Sequence, residues 1–211
     1  MPTLFEIAQG CNTDKTMPSA THGHSYLHIY EKFLSFLDQY SSLRILEIGV
    51  RYGGSINMLQ KRFPNAFVVG LDIEPCEFAV HDQSRYEFFQ GRQDDTEILA
   101  TITKKFESFD LIIDDGSHLI SDYVNTFLFL QKYLRKTGFY IIEDLQNNYY
   151  EHNLTRSTKA NNNGEQFNQF QAQMMKSLHL SKSYNLSNLS PNMFSIHHYP
   201  GFMVLTKSFV F

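Results

Sequence analysis

Between residues 43 and 145 the chain alternates short apolar runs with helix-patterned stretches, and that alternation leaves few folds open. The runs are LRILEIGV (43–50), AFVVGLDI (66–73), RYEFFQG (85–91), FDLIIDDG (109–116) and FYIIEDL (139–145). Between them lie GGSINMLQKRF (53–63), stopped by Pro64, then DDTEILATITKKF (94–106) and LISDYVNTFLFLQKYLR (119–135). The acids opening the second of these complement a helix dipole, and Lys136, Thr137 and Gly138 read as a stop after the third. Strands that alternate with helices imply a largely parallel sheet, and continuous apolar runs imply strands buried on both sides. The expected fold class is therefore α/β, a doubly wound, mostly parallel, Rossmann-like sheet.

The flanks add to this core. Residues 1–25 are polar and irregular, as an N-terminal arm would be, and 26–40 have the 3-4 apolar spacing of an amphipathic helix. Residues 146–164 are Asn- and Tyr-rich and too long for a plain connection, so they are expected to form an acceptor-side loop. A further helix is expected over 165–180. Two apolar runs around Pro200-Gly201 predict a C-terminal antiparallel hairpin. With 211 residues, one domain over 1–211 is the expectation.

Composition excludes several function classes. A formal net charge of −4 argues against a nucleic-acid binder that works through bulk charge. No apolar run reaches the ~20 residues of a membrane span, and MPTLFEIAQG has no basic region before an apolar one. The expected location is thus cytoplasmic. The two cysteines, Cys11 and Cys76, cannot build a disulfide framework and are not spaced as a zinc pair.

In doubly wound sheets ligands bind beyond the carboxyl ends of the strands. The first run ends there in Glu47, Gly49, Gly53 and Ser55, and the second in Asp72, about 20 residues on, where an acid can accept ribose hydroxyls. The loop is G-x-x-x-G-G and lacks the middle glycine of a pyrophosphate site, which disfavours a dinucleotide. Glu47 suits a ligand with a cationic amino acid end. The fourth run ends in Asp114-Asp115-Gly116-Ser117-His118 and the fifth in Glu143-Asp144. Neighbouring strands lie about 4.8 Å apart, so carboxylates and an imidazole would gather at one edge. A hard divalent cation such as Mg²⁺ would resolve their repulsion; helix capping or pairing with distant arginines is the alternative.

The strings LEIGVRYGGS, LDIEP, FDLIIDDGSH and YIIEDL, in this order, resemble the class I S-adenosylmethionine-dependent methyltransferases. With TDKTMPSATHGHSYLHIYEKF upstream, they are more narrowly similar to the metal-dependent sugar O-methyltransferases of the macrocin and mycinamicin type. The resemblance covers roughly residues 12–145. It implies S-adenosylmethionine held by Glu47, Gly49, Gly53, Ser55 and Asp72, with Gln93 and Asp94 at the adenine and Asp114 lining the pocket. It implies Mg²⁺ on Asp115, Glu143 and Asp144, with His118 as general base toward a sugar hydroxyl of a glycan or glycoside. His24 and Tyr26 are substrate-side candidates, and Asp14 and Lys15 stand with them; an arm packed on the sheet is the other reading of all four. Relatives assemble, so a homo-oligomer is one expectation, and the 15% aromatic content can serve an interface or the core. The competing functional readings are an O-methyltransferase for another vicinal diol or a catechol-like acceptor, a non-catalytic S-adenosylmethionine-binding module, and a dehydrogenase. An oxidative role is a smaller alternative, because no facial triad of two histidines and one carboxylate is apparent.

Overall fold

The structure is a computed structural model, and it describes residues 2–17, 25–75, 77–146, 163–179 and 195–207. His24, Cys76 and most of the expected acceptor-side loop lie outside the described residues.

The apolar runs become strands β1 (Arg44–Ile48), β2 (Phe67–Asp72), β3 (Tyr86–Gln90), β4 (Phe109–Asp114) and β5 (Leu134–Ile142). A hairpin of β6 (Ser195–Tyr199) and β7 (Phe202–Thr206) completes the sheet. The seven strands run in the order β3-β2-β1-β4-β5-β7-β6. The first five pair in parallel, while β7 pairs antiparallel with both β5 and β6. The parallel sheet and the terminal hairpin are as the sequence pattern predicts.

Side-chain alternation divides the core in two. Ile45, Leu111, Ile113, Phe139 and Val204 face one layer, built by α1 (Leu4–Gln9), α2 (Leu27–Leu34) and α3 (Gly54–Arg62). Leu46, Ile112, Tyr140, Met203 and Leu205 face the other, built by α4 (Thr96–Phe106), α5 (Ile120–Leu130) and α6 (Asn163–His179). Strands covered on both faces need apolar residues at successive positions, which is why IIDD and YIIED carry no polar alternation. Much of the aromatic surplus is core: Tyr30, Tyr123, Tyr140, Phe109, Phe127, Phe139 and Phe202 are fully buried.

Two boundaries depart from the sequence pattern. The arm contains α1, opened by a capping box in which the Thr3 hydroxyl accepts from the Glu6 amide and the Glu6 carboxylate accepts from the Thr3 amide. Gly138 is not a helix stop; α5 ends at Leu130, and Gly138 sits inside β5. A Cβ there would come within 2.7 Å of the Asp110 carbonyl, so close strand approach, and not a turn, explains that glycine. No helix among the described residues is long and apolar enough to cross a membrane.

Candidate active site

The carboxyl ends of β1, β2, β4 and β5 open on a cavity of about 1940 Å³, with the glycine loop on one side and His118 on another. The loop after β1 is shaped by backbone constraints. Gly49 has φ +85°, and a Cβ there would collide with the Asp115 backbone. Gly53, at φ +70°, precedes α3 and lies against the Phe78 ring. Asp72 fastens the loop: its Oδ2 accepts from the amides of Val50 at 2.8 Å and Arg51 at 2.9 Å. Its Oδ1 accepts from the Glu74 amide at 3.0 Å. Asp72 lines the cavity beside Gly49 and Ser55.

Glu47 is fully buried beneath this loop, below the residues that line the cavity, and neither of its oxygens has a hydrogen-bond partner among the described residues. Burial pushes its carboxyl up to about 7, with Lys15 and Ser55 opposing the rise. A buried carboxylate left without a hydrogen bond at a glycine loop fits a ligand that brings an ammonium group.

Lys15, from a short 3-10 turn of the arm, Asp14–Thr16, bridges two acids of the acid-rich edge, Asp115 and Glu143. Lys15 is 4% exposed, and its Nζ lies 2.8 Å from Asp115 Oδ2 and 2.6 Å from Glu143 Oε1. The Tyr30 hydroxyl also donates to Glu143 Oε1. Burial lowers the Lys15 ammonium's pKa, but the facing carboxylates Asp115 and Glu143 outweigh it, so the net shift is well upward and the charge is kept. Burial and the neighbouring Asp115 push the Glu143 carboxyl upward against Lys15 and Tyr30. The arm is also tied to the loop by an exposed Arg51–Asp14 ion pair at 2.9 Å, which adds little stability by itself.

Asp115 also belongs to a second cluster, which borders the cavity. Asp115, His118 and Asp144 each offer one atom within 4.8 Å of the others, a set with the donors of a metal site. Asp144 Oδ1 accepts from the Tyr26 hydroxyl at 2.9 Å and from Gln146 Nε2 at 3.0 Å, which leaves Oδ2 toward His118. His118 Nε2 is 3.9 Å from that oxygen, and His118 Nδ1 is 2.9 Å from the Tyr123 hydroxyl.

The structure brings Asp115, His118 and Asp144 together, as the sequence reading expects. Tyr26, Gln93, Asp94 and Glu143 also line the cavity, each with partners of its own, whereas Asp114 does not. Glu143 is engaged by Lys15 and Tyr30 and is 2% exposed, apart from the open cluster. Asp114 does not line the cavity; its carboxylate faces the core, accepting from Gln93 at 2.9 Å and Tyr140 at 3.1 Å, and burial raises it to about 7. Gln93 lines the cavity, but its amide is taken up in a bracket, donating to Asp114 and accepting from the Ser117 amide at 2.6 Å. Asp94 pairs with Arg92 at the cavity margin, which holds its carboxyl below the usual range. Tyr26 lines the cavity beside Asp144, with 8% of its surface exposed. The sequence reading names Lys15 without its partners, which are 100 and 128 residues away, and does not name Tyr30 or Tyr123 as site residues.

No family model matches the chain. Curated relatives are sugar O-methyltransferases. One is the Mycinamicin VI 2''-O-methyltransferase of Micromonospora griseorubida, 35% identical over 130 residues, covering 58% of this chain and 32% of the relative. Another is the 8-demethyl-8-(2-methoxy-alpha-L-rhamnosyl)-tetracenomycin-C 3'-O-methyltransferase of Streptomyces olivaceus, 33% identical over 129 residues, again covering 58% of this chain and 32% of the relative. The chain thus spans about a third (32%) of the length of the curated relatives it matches. Among solved structures, the MycE methyltransferase from the mycinamycin biosynthetic pathway, in complex with Mg and S-adenosylhomocysteine, superposes with TM-score 0.78 at 26% identity. That match covers 99% of this chain and 55% of MycE. The chain carries a Rossmann-like methyltransferase fold; the curated proteins it resembles in sequence are sugar O-methyltransferases, and the solved structure it resembles is a methyltransferase.

Proposed function

We propose that this chain is an S-adenosylmethionine-dependent, Mg²⁺-dependent O-methyltransferase acting on a sugar hydroxyl of a glycan or glycoside. The observation that carries the reading is the open Asp115, His118 and Asp144 cluster at the edge of the cavity that the glycine loop lines. The relatives' names and the ligands of MycE support the same chemistry.

The residues present suit both bound groups. Glu47, with two unpartnered oxygens, would receive the ammonium of the methionine end, and Asp72 Oδ1 would accept from the ribose. Asp115 and Asp144 would hold the cation, and Glu143 would join them on displacement of Lys15. When bound, the sulfonium supplies the methyl group and the cation polarises the acceptor hydroxyl. His118 Nε2 then receives the hydroxyl proton, a step for which an imidazole is suited near neutral pH. The cavity walls orient the acceptor oxygen, which is most of what a displacement of this kind asks of a protein. Tyr26 sets one carboxylate oxygen of Asp144 and leaves the other for the site. His24 and the remainder of residues 146–164 would contribute on the acceptor side.

The test is transfer of labelled methyl from S-adenosylmethionine to mycinamicin VI and to a rhamnosyl glycoside, with and without Mg²⁺. Mg²⁺-dependent label in a sugar-bearing product supports the reading. Transfer to a catechol but to neither glycoside would replace the sugar with an aromatic diol.

A further inference from the structure

Tyr123 lies in the first turn of α5, fully buried, with its hydroxyl between two partners. It is 2.7 Å from the backbone carbonyl of Glu143 and 2.9 Å from His118 Nδ1. A carbonyl oxygen can only accept, so the one phenolic proton goes to Glu143. The phenol oxygen then has only lone pairs to offer His118, so Nδ1 must carry a proton. The opposite tautomer would set two lone pairs against each other at 2.9 Å.

We propose that Tyr123 is a positioning residue that fixes His118 as the Nδ1–H tautomer, so that its Nε2 lone pair is presented to the cavity. The same hydroxyl ties the imidazole to the backbone of Glu143, next to Asp144, and thereby sets the two ends of β4 and β5 against each other. The phenol is suited to the role because it keeps its proton: burial and the surrounding carboxylates hold its pKa well above the ordinary tyrosine value. The backbone at His118 sits at φ +59°, in the left-handed region that non-glycine residues rarely adopt, and the imidazole meets Tyr123 from there. The consequence for proton transfer rests on the methyl-transfer reading; the tautomer itself does not.

The experiment is a ¹⁵N-resolved spectrum of the side-chain imidazoles of the full chain without ligands. It is recorded near pH ~8, above the ordinary histidine pKa of about 6.5, with the His118 signals identified by their loss in His118→Ala. The expected result is a protonated Nδ1 and a bare Nε2 for His118. In Tyr123→Phe, which keeps the ring and removes the hydroxyl, the major tautomer should switch to Nε2–H, with Asp144 Oδ2 as the nearby acceptor. A wild-type His118 with its proton on Nε2 overturns the proposal, and so does a folded Tyr123→Phe protein that keeps Nδ1–H. Should that variant not fold, the wild-type spectrum decides. Because S-adenosylhomocysteine binding is measured separately, failure of the methyl-transfer reading leaves this test intact.

Discussion

His118 Nε2 faces Asp144 Oδ2 across 3.9 Å, and both residues hold left-handed backbone conformations, φ +59° and +55°. Two non-glycine residues in that region cost roughly 1–3 kcal/mol each, and they persist where the surroundings over-determine them. Tyr123 and Tyr26 are the parts that do so here, one behind the imidazole and one behind the carboxylate. An imidazole and a carboxylate from two strand ends meet there at one point of the cavity edge.

Removing the proposed base should slow the proposed chemistry and spare cofactor binding. His118→Ala is expected to lower kcat by roughly 10²–10⁴-fold while leaving S-adenosylhomocysteine affinity within about twofold. A normal turnover rate for this variant would reassign the proton acceptor.

Removing a proposed metal carboxylate should act on the cation dependence. In Asp115→Asn, turnover should no longer respond to added Mg²⁺, and wild-type protein stripped with EDTA should match it. Full activity in stripped wild-type protein would remove the metal from the account.

Lys15 is the buried counter-charge of Asp115 and Glu143, so its loss leaves two carboxylates facing each other. Lys15→Met should destabilise the fold by about 3–5 kcal/mol, the usual range for breaking a buried pair from one side. Added Mg²⁺ should restore more of the melting temperature in the variant than it adds to wild type, since a cation can take the vacated place. Equal Mg²⁺ shifts in both proteins would show that the cation and Lys15 do not share those carboxylates.

Glu47 predicts a pH dependence of cofactor binding. Its carboxyl is raised to about 7 by burial, and a bound ammonium would draw it down again. Below about 7 the free protein must release a proton to bind, so affinity for S-adenosylhomocysteine should weaken as pH falls through that value and level off above it. Glu47→Gln should flatten the profile. A profile that stays steep in the variant would place the titrating group elsewhere.

Legibility followed sequence distance. Strands β1, β2, β4 and β5 were readable because a strand covered on both faces must be apolar at successive positions, and the Asp115, His118 and Asp144 cluster followed from their place just beyond those strand ends. The Gly138 boundary was not, because a glycine that admits a neighbouring strand looks the same in sequence as one that ends a helix. Thr3 and Glu6 have the spacing of the capping box that opens α1, but the polar texture of the arm reads as irregular. Lys15 could be singled out but not placed: its partners Asp115 and Glu143 lie 100 and 128 residues away, and no local pattern encodes that closure. Asp114 and Asp115 are adjacent acids at a strand end, and alternation sends one into the core and one toward the cavity.

The most direct measurement is isothermal titration of the purified chain with S-adenosylhomocysteine, with NADH as the control titrant. The account predicts saturable binding of S-adenosylhomocysteine, weakened by Asp72→Ala, and no heat from NADH. Binding of NADH alone would contradict it, and the Asp115, His118 and Asp144 cluster would then need a different chemistry.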